Sequence, residues 1–242
     1  MNNSIKIYET HYNDPIMIAP KEGQAEYFVT RTKLHPPKNI RVFEPGCGIG
    51  VLGSYIKNKF KVDVYGMELS KTAIKMAKSK GIMVKKGDLN DQWPYKSNFF
   101  DYVISSQVIE HILDTDNFIV ESIRILKKGG YLYVSTPNLA SWFNRLIFLF
   151  GYQPFFTEIS NMDKTLGIKF TQSLTQNRAP LGHIRVFTLR GLIDVLEYHG
   201  LEILAKYGGE ITYLPRFMKP LDKFFSNFPN LSSDLFVVAR KK

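Results

Sequence analysis

Along the first 136 residues the apolar positions switch repeatedly between a period of two and a period near 3.6. Ile40 to Phe43 is a short β-prone run, and the amphipathic stretch Val51 to Phe60 predicts a helix. Val62 to Met67 predicts a second strand. Ser70 then caps a helix, Lys71 to Lys80, with Ala73, Ile74 and Ala77 on its buried face. Gly81 stops that helix, and Ile82 to Lys85 is a short third strand. Phe99 to Ser105 is nearly all apolar, as a strand covered on both faces should be. Asp116 to Leu126 predicts a helix with Phe118, Ile119, Ile123 and Leu126 inward. Gly129-Gly130 is expected to end it, before a fifth strand from Tyr131 to Ser135. Strands and helices alternating across short turns imply an α/β fold with a parallel, doubly wound sheet.

The alternation then breaks. Residues 137–187 hold Pro137, Pro154 and Pro180, a strongly apolar helix candidate (Leu139 to Phe150) and a polar stretch, Thr157 to Arg178. A helix after Thr188 runs to His199, and Leu201 to Lys206 reads as a strand. A proline-broken aromatic stretch, Tyr213 to Pro229, precedes a last strand, Asp234 to Ala239. The expected organisation is a single domain over residues 1–242. Residues 1–38 form an N-terminal arm and a helix (Lys21 to Lys33) ended by His35-Pro36-Pro37, and residues 39–136 form a ligand-binding core. Residues 137–187 and 208–232 are insertions that read as a lid.

Composition narrows the chemistry. The single cysteine, Cys47, excludes a disulfide framework and a multi-cysteine metal site, and no metal is expected. The net charge of +10 favours anionic partners such as nucleic acid, phosphorylated substrates or an anionic membrane. The lysine clusters do not interleave with aromatics as a nucleic-acid stacking platform would, so nucleic acid is disfavoured. The start shows no apolar leader pattern, and the longest apolar stretch, Leu146 to Phe150, is far too short to span a bilayer. A cytoplasmic protein is expected.

The candidate chemistry centres on Ile40 to Gly53, where strand, glycine turn and helix follow in order. Gly46, Gly48 and Gly50 form a ladder in which a Cβ would block both the turn and a ligand's approach. Gly48-Ile49-Gly50-Val51-Leu52-Gly53 matches G-x-G-x-x-G, with Glu68 twenty residues beyond Gly48, so NAD stays open. Glu44 points the other way: its charge would repel a pyrophosphate and suit a ligand that carries positive charge. Glu44-Pro-Gly-Cys-Gly-Ile-Gly closely resembles the first motif of class I S-adenosylmethionine-dependent methyltransferases. Met67-Glu68-Leu69-Ser70, Gly87-Asp88-Leu89 and Ser106-Gln107-Val108-Ile109-Glu110-His111 resemble that family's later motifs in order. Ser135-Thr136-Pro137-Asn138 and Gly182-His183-Ile184-Arg185-Val186-Phe187-Thr188 resemble segments of its ubiquinone-biosynthesis subgroup.

The resemblance implies a Rossmann-like, seven-stranded, mostly parallel sheet with the last strand antiparallel, and S-adenosylmethionine as cofactor. It places Gly46, Cys47, Gly48 and Gly50 along the cofactor's amino-acid part, with Glu44 helping to hold the ammonium. Glu68 would accept from both ribose hydroxyls, and Asp88 and the Leu89 amide would read the adenine. Met67, Leu69 and Leu89 could sandwich that ring, while Ser106 and Gln107 lie beside the methionine moiety. Cys47 reads as a small buried filler rather than a nucleophile. Methyl transfer needs mainly positioning and desolvation, and a base only if the acceptor must lose a proton. His111 is the first candidate and His183 the second; a structural hydrogen bond between His111 and Glu110 is the rival reading. His11 and Tyr12 could fold over the cofactor. The expected acceptor is small or medium-sized and offers oxygen: a glycan, a lipid-linked intermediate or a quinone-like ring. The aromatic helix candidate and the basic, aromatic Arg216 to Phe225 raise peripheral membrane contact, and a monomer or homodimer is expected. An NAD-dependent oxidoreductase and a non-catalytic binding module that kept the fold are the alternatives.

Overall fold

A computed structural model describes residues 22–174, 178–211 and 214–242. His11 and Tyr12 lie outside the described residues. In chain order the elements are α1 (Glu22–Arg31), β1 (Arg41–Pro45), α2 (Val51–Phe60), β2 (Asp63–Glu68), α3 (Lys71–Ser79), β3 (Met83–Lys86) and β4 (Phe100–Ser106). Then follow α4 (Thr115–Ile125), β5 (Leu126–Pro137), α5 (Trp142–Leu149), α6 (Leu189–Tyr198), β6 (Leu201–Gly209), α7 (Lys219–Phe225) and β7 (Asp234–Lys241). The seven strands form one sheet in the order β3-β2-β1-β4-β5-β7-β6. The strands β3, β2, β1 and β4 pair in parallel, and β7 runs antiparallel to β5, as the resemblance implied.

Chain contacts divide these elements into two compact units. Of the described residues, the first comprises 22–105, 116–133 and 240–242. Its sheet core is aromatic: Phe43 on β1 lies 5.3 Å from Trp93, 4.9 Å from Tyr95 and 5.0 Å from Phe100, ring centre to ring centre. Local signals set the helices here. Ser70 caps α3 by accepting from the Ala73 N–H at 3.2 Å, and Ala73 and Ala77 are fully buried, as their spacing predicts. On α4 the inward residues are Phe118, Ile119 and Ile125, whereas Ile123 is only half-buried.

The second unit comprises the described residues of 106–115 and 134–239. Thr188 caps α6, accepting from the Gly191 N–H at 3.1 Å, and Leu189, Leu192 and Leu196 face inward. The helix expected from Leu139 starts only at Trp142. Ser141 caps it, after a turn in which the Asn138 side chain accepts from the Ala140 N–H.

Gly129-Gly130 does not end a helix. α4 stops at Ile125, and β5 runs straight through both glycines. Gly129 has a φ of +75°, a left-handed backbone inside a strand. A Cβ on Gly130 would lie 2.9 Å from the Lys127 carbonyl oxygen and 3.0 Å from that of Asp101. The pair therefore serves close backbone approach, a signal that reads in sequence like a helix stop.

Candidate functional site

In the first unit the glycine turn sits at the carboxyl end of β1 and opens α2. Gly46, Gly48 and Gly50 all have positive φ, at +61°, +50° and +74°. Glu68, at the tip of β2, holds this turn. Its Oε2 accepts from the Gly48 N–H at 3.0 Å, and its Oε1 accepts from the N–H groups of Leu69 (2.8 Å) and Ser70 (2.9 Å). A buried carboxylate needs such donors to offset lost hydration.

Glu44 is buried behind the same turn and accepts from the Gly53 N–H. Its Oε2 has no hydrogen-bond partner and lies 2.6 Å from where a Cβ on Gly53 would stand. Burial, reinforced by neighbouring Glu68, pushes the Glu44 carboxyl up to about 8. The third glycine of the fingerprint thus makes room for an acid. The Cys47 side chain packs over Gly66, whose absent Cβ would meet its Sγ at 2.6 Å, and burial raises its thiol well above the usual range. That environment disfavours a thiolate.

Asp88 shapes its own turn: Oδ1 accepts from the backbone N–H of Asn90 at 2.9 Å and from its side-chain amide at 2.8 Å. Leu89 is half-buried, and its carbonyl accepts from the Trp93 indole at 3.2 Å. Met67 departs from its expected place beside the adenine. It is fully buried, with Sδ 2.9 Å from the position of a Cβ on Gly87, so it fills space under the β3 edge. Leu69 and Leu89 keep partial exposure.

The second unit gathers the candidate catalytic residues. Ser106 ends β4, and Gln107 is exposed with a φ of +56°, a strained turn of the kind found at functional sites. Ser135 links the two, donating to Ser106 Oγ at 3.2 Å and accepting from Gln107 Nε2 at 3.4 Å. A 3₁₀ turn, Ile109–His111, follows. His111 and His183, 72 positions apart in sequence, stand with ring centres 4.9 Å apart. His111 Nδ1 lies 3.0 Å from the Gly182 carbonyl, and His183 Nδ1 lies 3.1 Å from that of Phe156. A carbonyl can only accept, so each ring carries its proton on Nδ1 and its basic lone pair on Nε2. Burial, reinforced by His111, pushes His183 down to about 4, which leaves it neutral and weakly basic.

Two acids complete the arrangement: Glu110, named in the sequence as the neighbour of His111, and Glu158, which sequence reading did not single out. Glu110 is fully buried; its Oε2 accepts from the Thr136 hydroxyl at 3.0 Å, while Oε1 has no hydrogen-bond partner. Burial pushes its carboxyl up to about 8. His111 is thus oriented by Gly182. Glu158 is the second. Its carboxylate accepts from the N–H groups of Leu181 (2.5 Å), Gly182 (2.8 Å) and His183 (3.2 Å), and so clamps the loop that carries His183 and holds His111. Nothing local in the sequence marks it, because its partners are more than twenty residues away. Among the described residues, Glu110, His111 and His183 also place ligand atoms within 4.8 Å of one another, a spacing that could hold a metal ion and that the cysteine count did not foreshadow.

A seven-stranded sheet in this order, with glycine turn and carboxylates at the ends of β1 and β2, defines the class I S-adenosylmethionine-dependent methyltransferase fold. The chain belongs to the family described as "Methyltransferase domain", whose profile matches residues 21–206. A ubiquinone biosynthesis O-methyltransferase of Pelagibacter ubique is 32% identical over 141 residues, which cover 55% of this chain and 57% of that protein. A second, from Chelativorans sp., is 26% identical over 144 residues, 57% of this chain and 56% of the relative. The chain thus spans little more than half the length of these relatives. Among solved structures, a putative methyltransferase complexed with the Haloferax volcanii Trm112 activator superposes with a TM-score of 0.66, 14% identity and 99% and 98% coverage of the two chains. A possible histamine N-methyltransferase from Thermotoga maritima gives 0.60 at 20% identity, over 90% and 89%.

Glu44 and Glu110 stay protonated in the native state up to about pH 8, but ionise above about 4.5 when unfolded. The native state then binds more protons between these values, so each acid's stabilising contribution is full below pH 4.5 and is lost as pH rises to 8. Glu44→Gln should make the fall in unfolding free energy from pH 5 to 8 shallower, by on the order of 1 kcal/mol per pH unit, as read from urea titrations. Glu158→Ala should leave cofactor affinity unchanged and reduce turnover about tenfold or more, by freeing the loop that orients both histidines.

Proposed function

We propose that the protein transfers the methyl group of S-adenosylmethionine to an oxygen of a small or medium-sized acceptor. The observation that carries this reading is the pair of buried carboxylates at the glycine turn, with Glu44 occupying the space that Gly53 leaves open. A pyrophosphate would meet two acids there, whereas an ammonium and two ribose hydroxyls match them. This disfavours the NAD-dependent oxidoreductase. Glu44 serves the cofactor's ammonium, Glu68 the ribose, Asp88 and the Leu89 amide the adenine, and the backbone of Gly46, Cys47, Gly48 and Gly50 the amino-acid part. Ser106 and Gln107 serve the methionine moiety.

S-adenosylmethionine supplies an activated sulfonium carbon, and the chain's own task is to place an acceptor oxygen in line with it and hold its proton. His111 takes that proton on Nε2. His183 is too weak a base for the task near neutral pH, and it packs against His111 instead. The acceptor reading is a quinone-like ring, favoured over a glycan or a lipid-linked intermediate because the ubiquinone O-methyltransferases are among the relatives. The compartment fitting this reading is the cytoplasm.

Thermal stabilisation by S-adenosylmethionine or its demethylated product, and not by NAD, is the first test. Glu44 sharpens it. At pH 7 the unliganded carboxyl holds its proton, and a bound ammonium would expel it. Calorimetry in buffers of different ionisation enthalpy should therefore show wild type releasing close to one proton more than Glu44→Gln on binding cofactor. Equal proton counts would remove Glu44 from the ammonium site. His111→Ala should lower turnover about 10²-fold with cofactor affinity retained, and chelation of divalent ions should leave wild-type turnover unchanged. Loss of activity on chelation would make Glu110, His111 and His183 a metal site. Failure of labelled cofactor to modify any component of a cell extract would favour the non-catalytic module.

A further inference from the structure

The second unit carries an apolar surface that its own core does not use. On α5 only Phe143 and Asn144 are buried, while Leu146, Phe148 and Leu149, with Phe150 just beyond, are 52–79% exposed. On and around α7, Phe217, Leu221, Phe224 and Phe228 are 45–81% exposed. The two helices touch: Trp142 stacks on Phe225 with ring centres 5.4 Å apart, and its indole N–H donates to Asp222 Oδ1 at 3.0 Å. Leu146 and Leu149 follow Trp142 at helical spacings of four and seven, and Leu221 precedes Phe225 by four. Leu146, Leu149 and Leu221 therefore extend the faces that meet at Trp142 and Phe225, and Phe224 adjoins them, its ring centre 5.3 Å from that of Phe225 and 5.5 Å from that of Phe228.

Charge decides what such a patch fits. Residues 139–152 contain one cation, Arg145, and no acid; residues 214–230 contain Arg216, Lys219 and Lys223, all exposed like Arg145. The one acid in either segment, Asp222, is 1% exposed and spent on Trp142, Ser233 and the Ile211 N–H. Every exposed charge in these two segments is positive. Aromatic and leucine side chains beside lysine and arginine suit the boundary between headgroups and acyl chains. No helix of the described residues is long and apolar enough to cross a membrane, and α5, with eight residues, is suited to lying in the surface plane.

We propose that the α5–α7 face binds the surface of an anionic phospholipid bilayer. This stands apart from the acceptor's identity, although an enzyme seated there would meet apolar acceptors where they dissolve. The full chain should sediment with vesicles of phosphatidylcholine containing phosphatidylglycerol, sediment little with phosphatidylcholine alone, and release as salt rises. Lys219→Glu combined with Lys223→Glu, and separately Leu149→Asp combined with Phe224→Asp, should each weaken that binding about tenfold or more. All four side chains are exposed, and unchanged stabilisation by cofactor would show that both variants fold and that the methyltransferase reading is untouched. Absent sedimentation, equal binding to both vesicle types, or unaltered binding by both variants would overturn the proposal. So would a dimer by light scattering that Leu149→Asp dissolves while vesicles remain unbound, which would assign the patch to a second copy.

Discussion

The carboxylate of Glu68 is the constraint on which the candidate cofactor turn depends. With one oxygen on Gly48 and the other on Leu69 and Ser70, it ties the loop after β1 to the tip of β2. Charge-assisted bonds of this kind contribute roughly 1.5–3 kcal/mol each when desolvated. Three left-handed glycines at alternate positions gain flexibility from their missing side chains, and that freedom must be removed for a cofactor to bind without a large ordering cost. Glu68 removes it. The ribose proposed to bind there would meet an acid already fixed in place.

Glu44 explains why the fingerprint is ambiguous as a string and informative in space. In a dinucleotide turn the third glycine permits close packing of helix against strand. Here the same absence of a Cβ admits a carboxylate oxygen, and the energetic consequence is large: a half-satisfied buried acid that keeps its proton to about pH 8. Such an acid is poised to exchange that proton for a cationic partner. The fingerprint's spacing is common to both ligand classes; a buried acid beside it, able to give up its proton to a cation, suits only one of them.

What the chain made legible follows the range of the interactions. The bounds of α2 and the caps at Ser70 and Thr188 could be read because a cap or an amphipathic face is written within a few residues. Gly129-Gly130 was misread because a glycine pair signals a stop or a close approach with equal force, and only the Asp101 carbonyl across the sheet decides between them. Met67 was misplaced for a similar reason, since its burial depends on Gly87 opposite it. Motif spacing brought out the acids at the strand tips. It could not bring His111 to His183, nor reveal Glu158, because those contacts close loops of 23 to 72 residues.

The second unit shares one electrostatic property across its candidate residues. Burial keeps Glu110 protonated up to about 8 and His183 neutral down to about 4, and it raises Asp234, beside Glu110 and Gln107, well above the carboxylate range. Near pH 7 these groups carry little charge despite their chemistry. Methyl transfer from a sulfonium to an oxygen that has lost its proton consumes a positive and a negative charge. A surrounding that solvates ions poorly raises the energy of such reactants more than that of the transition state, in which the charges are already merging. A strongly charged cluster would oppose this by stabilising one reactant ion. Neutral acids and a weakly basic histidine suit the oxygen-directed transfer proposed above, in which His111 accepts the proton.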